Sequence, residues 1–146
     1  MLQKFYGELS TLKSAKKKED VTMSLKFYRC SHCGQIIVKV KETAVPVVCC
    51  GEPMQELIAG TTDAAVEKHV PAVTVEGSTV KVTVGEVEHP MMDAHYIEFV
   101  AIETNKGFQI KFLKPGEAPK AEFVLAAGEE LVATYEYCNL HGLWKK

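Results

Sequence analysis

Two sets of side chains in this sequence have the types and spacing to hold metal ions. The first is Cys30-Ser31-His32-Cys33-Gly34 together with Cys49-Cys50-Gly51. Two residues between ligands let a tight turn aim both sulfurs at one ion. A glycine after the second cysteine relieves crowding, so that backbone N–H groups can point at sulfur. Four thiolates in tetrahedral positions suit zinc or a single iron. Adjacent side chains on an extended strand point to opposite faces, so Cys49 and Cys50 reach one ion only across a local kink, which distorts the tetrahedron. A structural zinc site usually spaces its second pair as CxxC too, and a zinc knuckle without redox role is the competing reading. His32, inside the turn, is read as a solvent-facing residue and not as a ligand.

The second set is His69, His89, His95 and His141 with the remaining cysteine, Cys138. Each lies near a proline, a glycine or the end of an expected strand. A lone histidine in a β-protein is more often a surface or hydrogen-bonded residue, but four at element boundaries, with Cys138 and His141 spaced as CxxH, suit one ion. Imidazoles serve zinc, copper, iron and nickel, and a thiolate adds a soft, electron-rich ligand. Five protein ligands exceed an ordinary zinc site and leave one position of an octahedral metal open. A thiolate opposite that position pushes electron density toward a bound molecule, as cysteine does at haem iron. Such a site suits reduction of a small oxygen species.

These residues must be positioned by β-structure. The stretches 72–76 and 79–84 flank Gly77-Ser78, with Val80, Val82 and Val84 on one face and Lys81 and Thr83 on the other. Residues 96–104 and 108–113 flank Asn105-Lys106-Gly107, a hairpin signal, and 121–125 and 131–137 supply further strands. Short strands with turns at this spacing predict an antiparallel β-sandwich. The stretch 25–58 is rich in cysteine and poor in large apolar residues, so it needs a metal or a neighbour to fold. Leu2, Phe5, Leu9 and Leu12 recur at helical spacing ahead of Lys16, Lys17 and Lys18, which predicts a short helix or, equally, a disordered tail over 1–22. A shorter chain starting at Met23 would look complete.

Composition excludes several classes. Hydrophobic residues make up 47% and charged residues 25% of 146 residues, ordinary for a globular protein, and a net charge of -2 gives no general attraction to nucleic acid or anionic lipid. No stretch approaches the roughly 20 apolar residues of a membrane span, and the N-terminus lacks a secretory signal. The expected compartment is the cytoplasm, where clustered thiols bind metal more often than they form disulfides; five cysteines, an odd number, fit a disulfide framework poorly.

From about Leu25 onward the sequence closely resembles desulfoferrodoxin, the two-iron form of superoxide reductase. The resemblance is carried by Tyr28-Arg29-Cys30, Cys33-Gly34, Cys49-Cys50-Gly51-Glu52-Pro53-Met54, Glu67-Lys68-His69-Val70-Pro71, His89-Pro90-Met91, His95-Tyr96-Ile97-Glu98, Phe112-Leu113-Lys114-Pro115-Gly116 and Tyr137-Cys138-Asn139-Leu140-His141-Gly142-Leu143-Trp144. It implies an all-β chain: a 1–22 extension, a small rubredoxin- or desulforedoxin-like domain at 23–59 and an immunoglobulin-like sandwich at 60–146. Cys30, Cys33, Cys49 and Cys50 would hold a distorted rubredoxin-type iron. His69, His89, His95 and His141 would form an equatorial plane on a second iron with Cys138 axial, and neither haem nor flavin is expected. The implied reaction is one-electron reduction of superoxide to hydrogen peroxide by a homodimer drawing electrons from a rubredoxin-type donor. Lys68 would attract the anionic substrate, and Glu67 would reach the open position in the ferric state. The segment 1–22 departs from the family pattern. An electron-transfer protein without superoxide reductase activity, and a zinc-stabilised binding module, are the rival readings.

Overall fold

The computed structural model describes residues 24–146, so the expectations for 1–22 and for a start at Met23 lie outside the described residues. The first described region is a set of very short strands: β1 (Phe27–Arg29), β2 (Ile36–Val38), β3 (Val48–Cys49), β4 (Glu52–Pro53) and β5 (Gln55–Glu56). β1 runs antiparallel between β2 and β5, and β3 pairs with β4 in a separate ribbon. Strands of two or three residues cannot enclose a core of their own. The region therefore borrows one. Phe27 is fully buried and, with Leu25, Ile36, Val38, Leu57 and Ala59, packs against Phe99, Ala101, Tyr135, Tyr137 and Leu143 from later in the chain.

A single helical turn, α1 (Val66–His69), leads into the larger unit. Its strands are β6 (Pro71–Glu76), β7 (Thr79–Val84), β8 (Ile97–Thr104), β9 (Gly107–Phe112), β10 (Lys120–Val124), β11 (Leu131–Cys138) and β12 (Gly142–Lys145). They form a three-stranded sheet, β10-β7-β6, facing a four-stranded sheet, β12-β11-β8-β9, all pairs antiparallel. This is the expected immunoglobulin-like two-sheet sandwich. Between the sheets lie Val80, Val82 and Val84 of β7, Ala121 and Phe123 of β10, Ile97, Val100 and Ile102 of β8, and Cys138 of β11. The period-2 alternation in β7 is visible in its burial: the three valines are buried and Lys81 and Thr83 are half-buried. The opposite face of the four-stranded sheet receives Phe27 and its neighbours, so that sheet is covered on both sides.

Two details differ from the sequence expectation. β8 begins at Ile97 because the Tyr96 N–H donates to the Asn139 side chain (3.0 Å) rather than to a strand. β12, which pairs with the end of β11, is an additional strand whose four residues carry no strand signal of their own. Among the described residues no helix is long and apolar enough to cross a membrane.

Candidate metal centres

His69, His89, His95, Cys138 and His141 converge: one donor atom from each lies within 4.8 Å of all the others. His69 closes α1, and its Nδ1–H donates to the Ala65 carbonyl (2.7 Å). His89 follows β7, and its Nδ1–H donates to the Pro90 carbonyl (2.6 Å). With Nδ1 so engaged, each ring turns its Nε2 lone pair inward. The two Nε2 atoms are 3.1 Å apart, and His69 Nε2 is 3.0 Å from His141 Nδ1. His95 sits in a tight bridge with Met92 and leaves its buried Nε2 without a partner. Three rings thus present Nε2 and His141 presents Nδ1.

Neighbouring rings stand nearly perpendicular around a closed circuit. His69–His89 is 4.7 Å at 74°, His89–His95 is 4.7 Å at 79°, His95–His141 is 4.9 Å at 81°, and His141–His69 is 4.8 Å at 85°. Cys138 Sγ lies 3.7 Å from His141 Nδ1, and Cys138 is wholly buried, so the thiol takes the interior side of the circuit. The β11–β8 ladder shifts register between Tyr137 and Cys138, where Glu98 of β8 has no partner on β11. Burial is the first cause that lowers the imidazoles of His69, His89 and His95, with His89 pushed down to about 4. Neutral imidazole is the form that ligates metal. Burial raises the Cys138 thiol, an effect a bound cation would reverse. Lone pairs facing one another at hydrogen-bond distance and an orphaned buried nitrogen are what a cation between them would satisfy. The donor set fits a single ion with five protein ligands.

Glu67 and Lys68, both exposed, precede His69 on α1. Lys68 borders a cavity of about 610 Å³ with Glu88, His89, Met91 and Glu117, and its charge adds to the lowering of His95 after burial and His141. Glu67 lies near enough to His69 to act on its charge.

Three residues that brace the site escaped sequence reasoning. Trp144 stacks on His69 (4.9 Å, 21°) and donates its indole N–H to the His141 carbonyl (3.1 Å). Asn139 ties the CxxH turn to Tyr96 and, through its amide, to the Ala94 carbonyl (3.1 Å). Gly85 has φ +79°, and a Cβ there would fall 2.6 Å from the Lys68 carbonyl oxygen, so only glycine lets the end of β7 close on α1. Trp144, the only tryptophan of the chain and three residues from His141, was the one available signal.

Cys30, Cys33, Cys49 and Cys50 form the second group, also with donor atoms within 4.8 Å. Cys33 and Cys49 sulfurs are 3.6 Å apart, and Cys49 and Cys50 sulfurs 3.9 Å. The kink expected between the adjacent cysteines is present: Cys50 has φ +52°, the only non-glycine with positive φ among the described residues. The Cys33 backbone N–H donates to Cys30 Sγ (3.5 Å), and this bond leads the causes that lower the Cys30 thiol to about 6. His32 is exposed, stands outside the group and pairs with Glu52 at 2.9 Å.

An all-β chain that presents one group of four thiols and another of four imidazoles and a thiol has the layout of a mononuclear metalloprotein with two centres. Residues 61–146 match the family model described as Desulfoferrodoxin, and residues 22–57 match Desulfoferrodoxin, N-terminal domain. The chain belongs to the desulfoferrodoxin family. It is 48% identical over 118 residues to the desulfoferrodoxin of Nitratidesulfovibrio vulgaris, covering 81% of this chain and 92% of that one. It is 42% identical over 125 residues to a desulfoferrodoxin homolog of Archaeoglobus fulgidus, covering 86% and 98%. Among solved structures, the superoxide reductase from Treponema pallidum superposes with a TM-score of 0.72 at 40% identity, covering 84% of this chain and 98% of that one.

Proposed function

We propose that this chain is a superoxide reductase, with iron held by His69, His89, His95, His141 and Cys138 and a second iron held by Cys30, Cys33, Cys49 and Cys50. The observation that carries this reading is the closed circuit of four imidazole nitrogens with one buried sulfur on its interior side. Iron in that setting supplies a one-electron couple and an open coordination position. The overall change is superoxide plus one electron plus two protons to hydrogen peroxide, without release of dioxygen.

The protein groups have distinct tasks. The carbonyls of Ala65 and Pro90 hold His69 and His89 in the tautomer that ligates. Trp144 fixes the plane of the His69 ring and anchors the His141 backbone carbonyl. Lys68, exposed beside His89, draws the anionic substrate in and orients the water that delivers protons. Glu67, beside it on α1, reaches the exposed face of the site when no substrate is there.

The same reading makes residues 23–59 and 60–146 the two domains, a homodimer the working unit, the cytoplasm its compartment, and a rubredoxin-type protein the electron donor. Metal analysis with anaerobic pulse radiolysis of the reduced protein tests it. About two irons per chain and rapid consumption of superoxide without dioxygen are expected. Zinc alone, or two irons with no reaction, overturns the assignment, and the latter leaves an electron carrier.

A further inference from the structure

The four imidazoles of the histidine centre are not held in the same way. His69 and His89 each donate Nδ1–H to a carbonyl, and Trp144 stacks on His69 while its indole N–H holds the His141 carbonyl. His95 is held differently. Its Nε2 is buried without a partner among the described residues, and what is fixed is the backbone on either side of it.

Every backbone polar group from the Ala94 carbonyl to the Tyr96 carbonyl is engaged. The His95 N–H donates to the Met92 carbonyl (3.0 Å), and the Met92 N–H donates to the His95 carbonyl (2.9 Å). The remaining groups go to Asn139. Its side-chain nitrogen donates to the Ala94 carbonyl (3.1 Å), and its side-chain oxygen accepts from the Tyr96 N–H (3.0 Å). Its backbone N–H donates to the Tyr96 carbonyl (3.1 Å). These partners set the orientation of the amide, since only its oxygen accepts and only its nitrogen donates.

The place of Asn139 gives this grip its meaning. It lies between Cys138, on the interior side of the ring circuit, and His141, a member of that circuit. The same amide oxygen is 4.0 Å from Cys138 Sγ. Met92, Asp93 and Ala94, the turn that leads into His95, are exposed, so little apolar burial fixes it. A turn of that kind opens more readily than a packed strand. One side chain thus ties the least anchored ligand to the segment that carries two others.

We propose that Asn139 is the positioning residue for His95. Through the Ala94 carbonyl and the Tyr96 N–H, its amide holds that imidazole in the circuit at a fixed setting to Cys138. It takes the part that the Nδ1 hydrogen bonds play for His69 and His89, and His95 is the first ligand to leave when it is removed. This rests on the reading that the histidine group holds iron. Partners behind the ligands of this kind typically change metal retention by about 10–100-fold.

The test uses the full chain loaded with Mössbauer-active iron at both groups. Asn139→Ala removes both side-chain bonds, whereas Asn139→Asp keeps the acceptor for the Tyr96 N–H and sets an oxygen against the Ala94 carbonyl. Both should release iron from the histidine centre to a ferrous chelator on the order of tenfold faster than wild type. Both should also alter the quadrupole splitting of that centre. The signal and release rate of the four-thiolate centre should stay at wild-type values, which separates the effect from general unfolding. Asn139→Ala combined with His95→Ala should release iron no faster than His95→Ala alone. Unchanged release and splitting in both Asn139 variants overturns the proposal, as does equal loss from both centres or an additive double variant. A wild-type chain with no iron at the histidine group overturns it together with the superoxide reductase reading. Iron held there but indifferent to Asn139 sinks the positioning role alone, and superoxide takes no part in the measurement.

Discussion

At the scale of single residues, the histidine centre is governed by burial and by one nearby cation. Lys68 is exposed and borders the cavity beside His89. Lys68→Ala should leave the metal site formed and slow superoxide capture on the order of tenfold at low ionic strength. The difference should close as salt is raised, and an unchanged bimolecular rate would remove the steering role. Cys138→Ser should abolish the sulfur-to-iron absorption band and sharply reduce turnover, read by visible spectroscopy and pulse radiolysis. The metal-free chain has a pH dependence of known sign. His89 is pushed down to about 4 from 6.5, first by burial, and His69 and His95 are lowered as well. Below about 6.5 the unfolded chain takes up protons that the folded chain refuses, so the contribution of these histidines to stability is lost as pH drops from about 6.5 toward about 4. Urea titrations of the metal-free protein at neutral and mildly acidic pH should show the midpoint fall. These residues were legible in the sequence as types in a pattern. Which ring nitrogen faces inward was not, because that depends on backbone carbonyls, such as those of Ala65 and Pro90, brought close only by the fold.

At the scale of elements, the site hangs on how α1 meets the end of β7. Val87 N–H donates to the Glu67 carbonyl (3.0 Å), and Gly85 lets the two backbones touch. Gly85→Ala combines a clash with backbone and a strained φ. It should cost on the order of 2 kcal/mol or more and loosen the histidine centre first, measured by denaturant midpoint and by metal release to a chelator. The strands carrying alternation were readable: the stretch Thr79–Val84 has the same bounds in sequence and structure, because Gly77 and the valine periodicity mark it unambiguously. α1 and β12 were not readable. A single turn of helix has too few residues for a periodic signal, and the four residues of β12 have their pairing set by the adjacent β11 and not by their own pattern. The kink at Cys50 was legible from covalent geometry alone, since two neighbouring sulfurs cannot share an ion without it.

At the scale of the whole molecule, the cysteine-rich region and the sandwich are not independent. Both ligand sets lie within the described residues. Removing 1–22 should leave both irons bound at full stoichiometry, and loss of either in metal analysis would give the segment a structural part. The shared core around Phe27 was foreseen only in outline, as the need of a small module for a neighbour. Which face would supply it depends on pairings far apart in sequence. That face has a consequence for related chains of other lengths. Phe99, Ala101, Tyr135 and Tyr137 are apolar or aromatic because a second layer lies on them. A protein built from the sandwich alone would present this area to water as a sticky plate. Shedding the cysteine-rich layer in evolution or by engineering therefore demands that the same strand positions turn hydrophilic, or that a substitute cover, such as another subunit, take the vacated place.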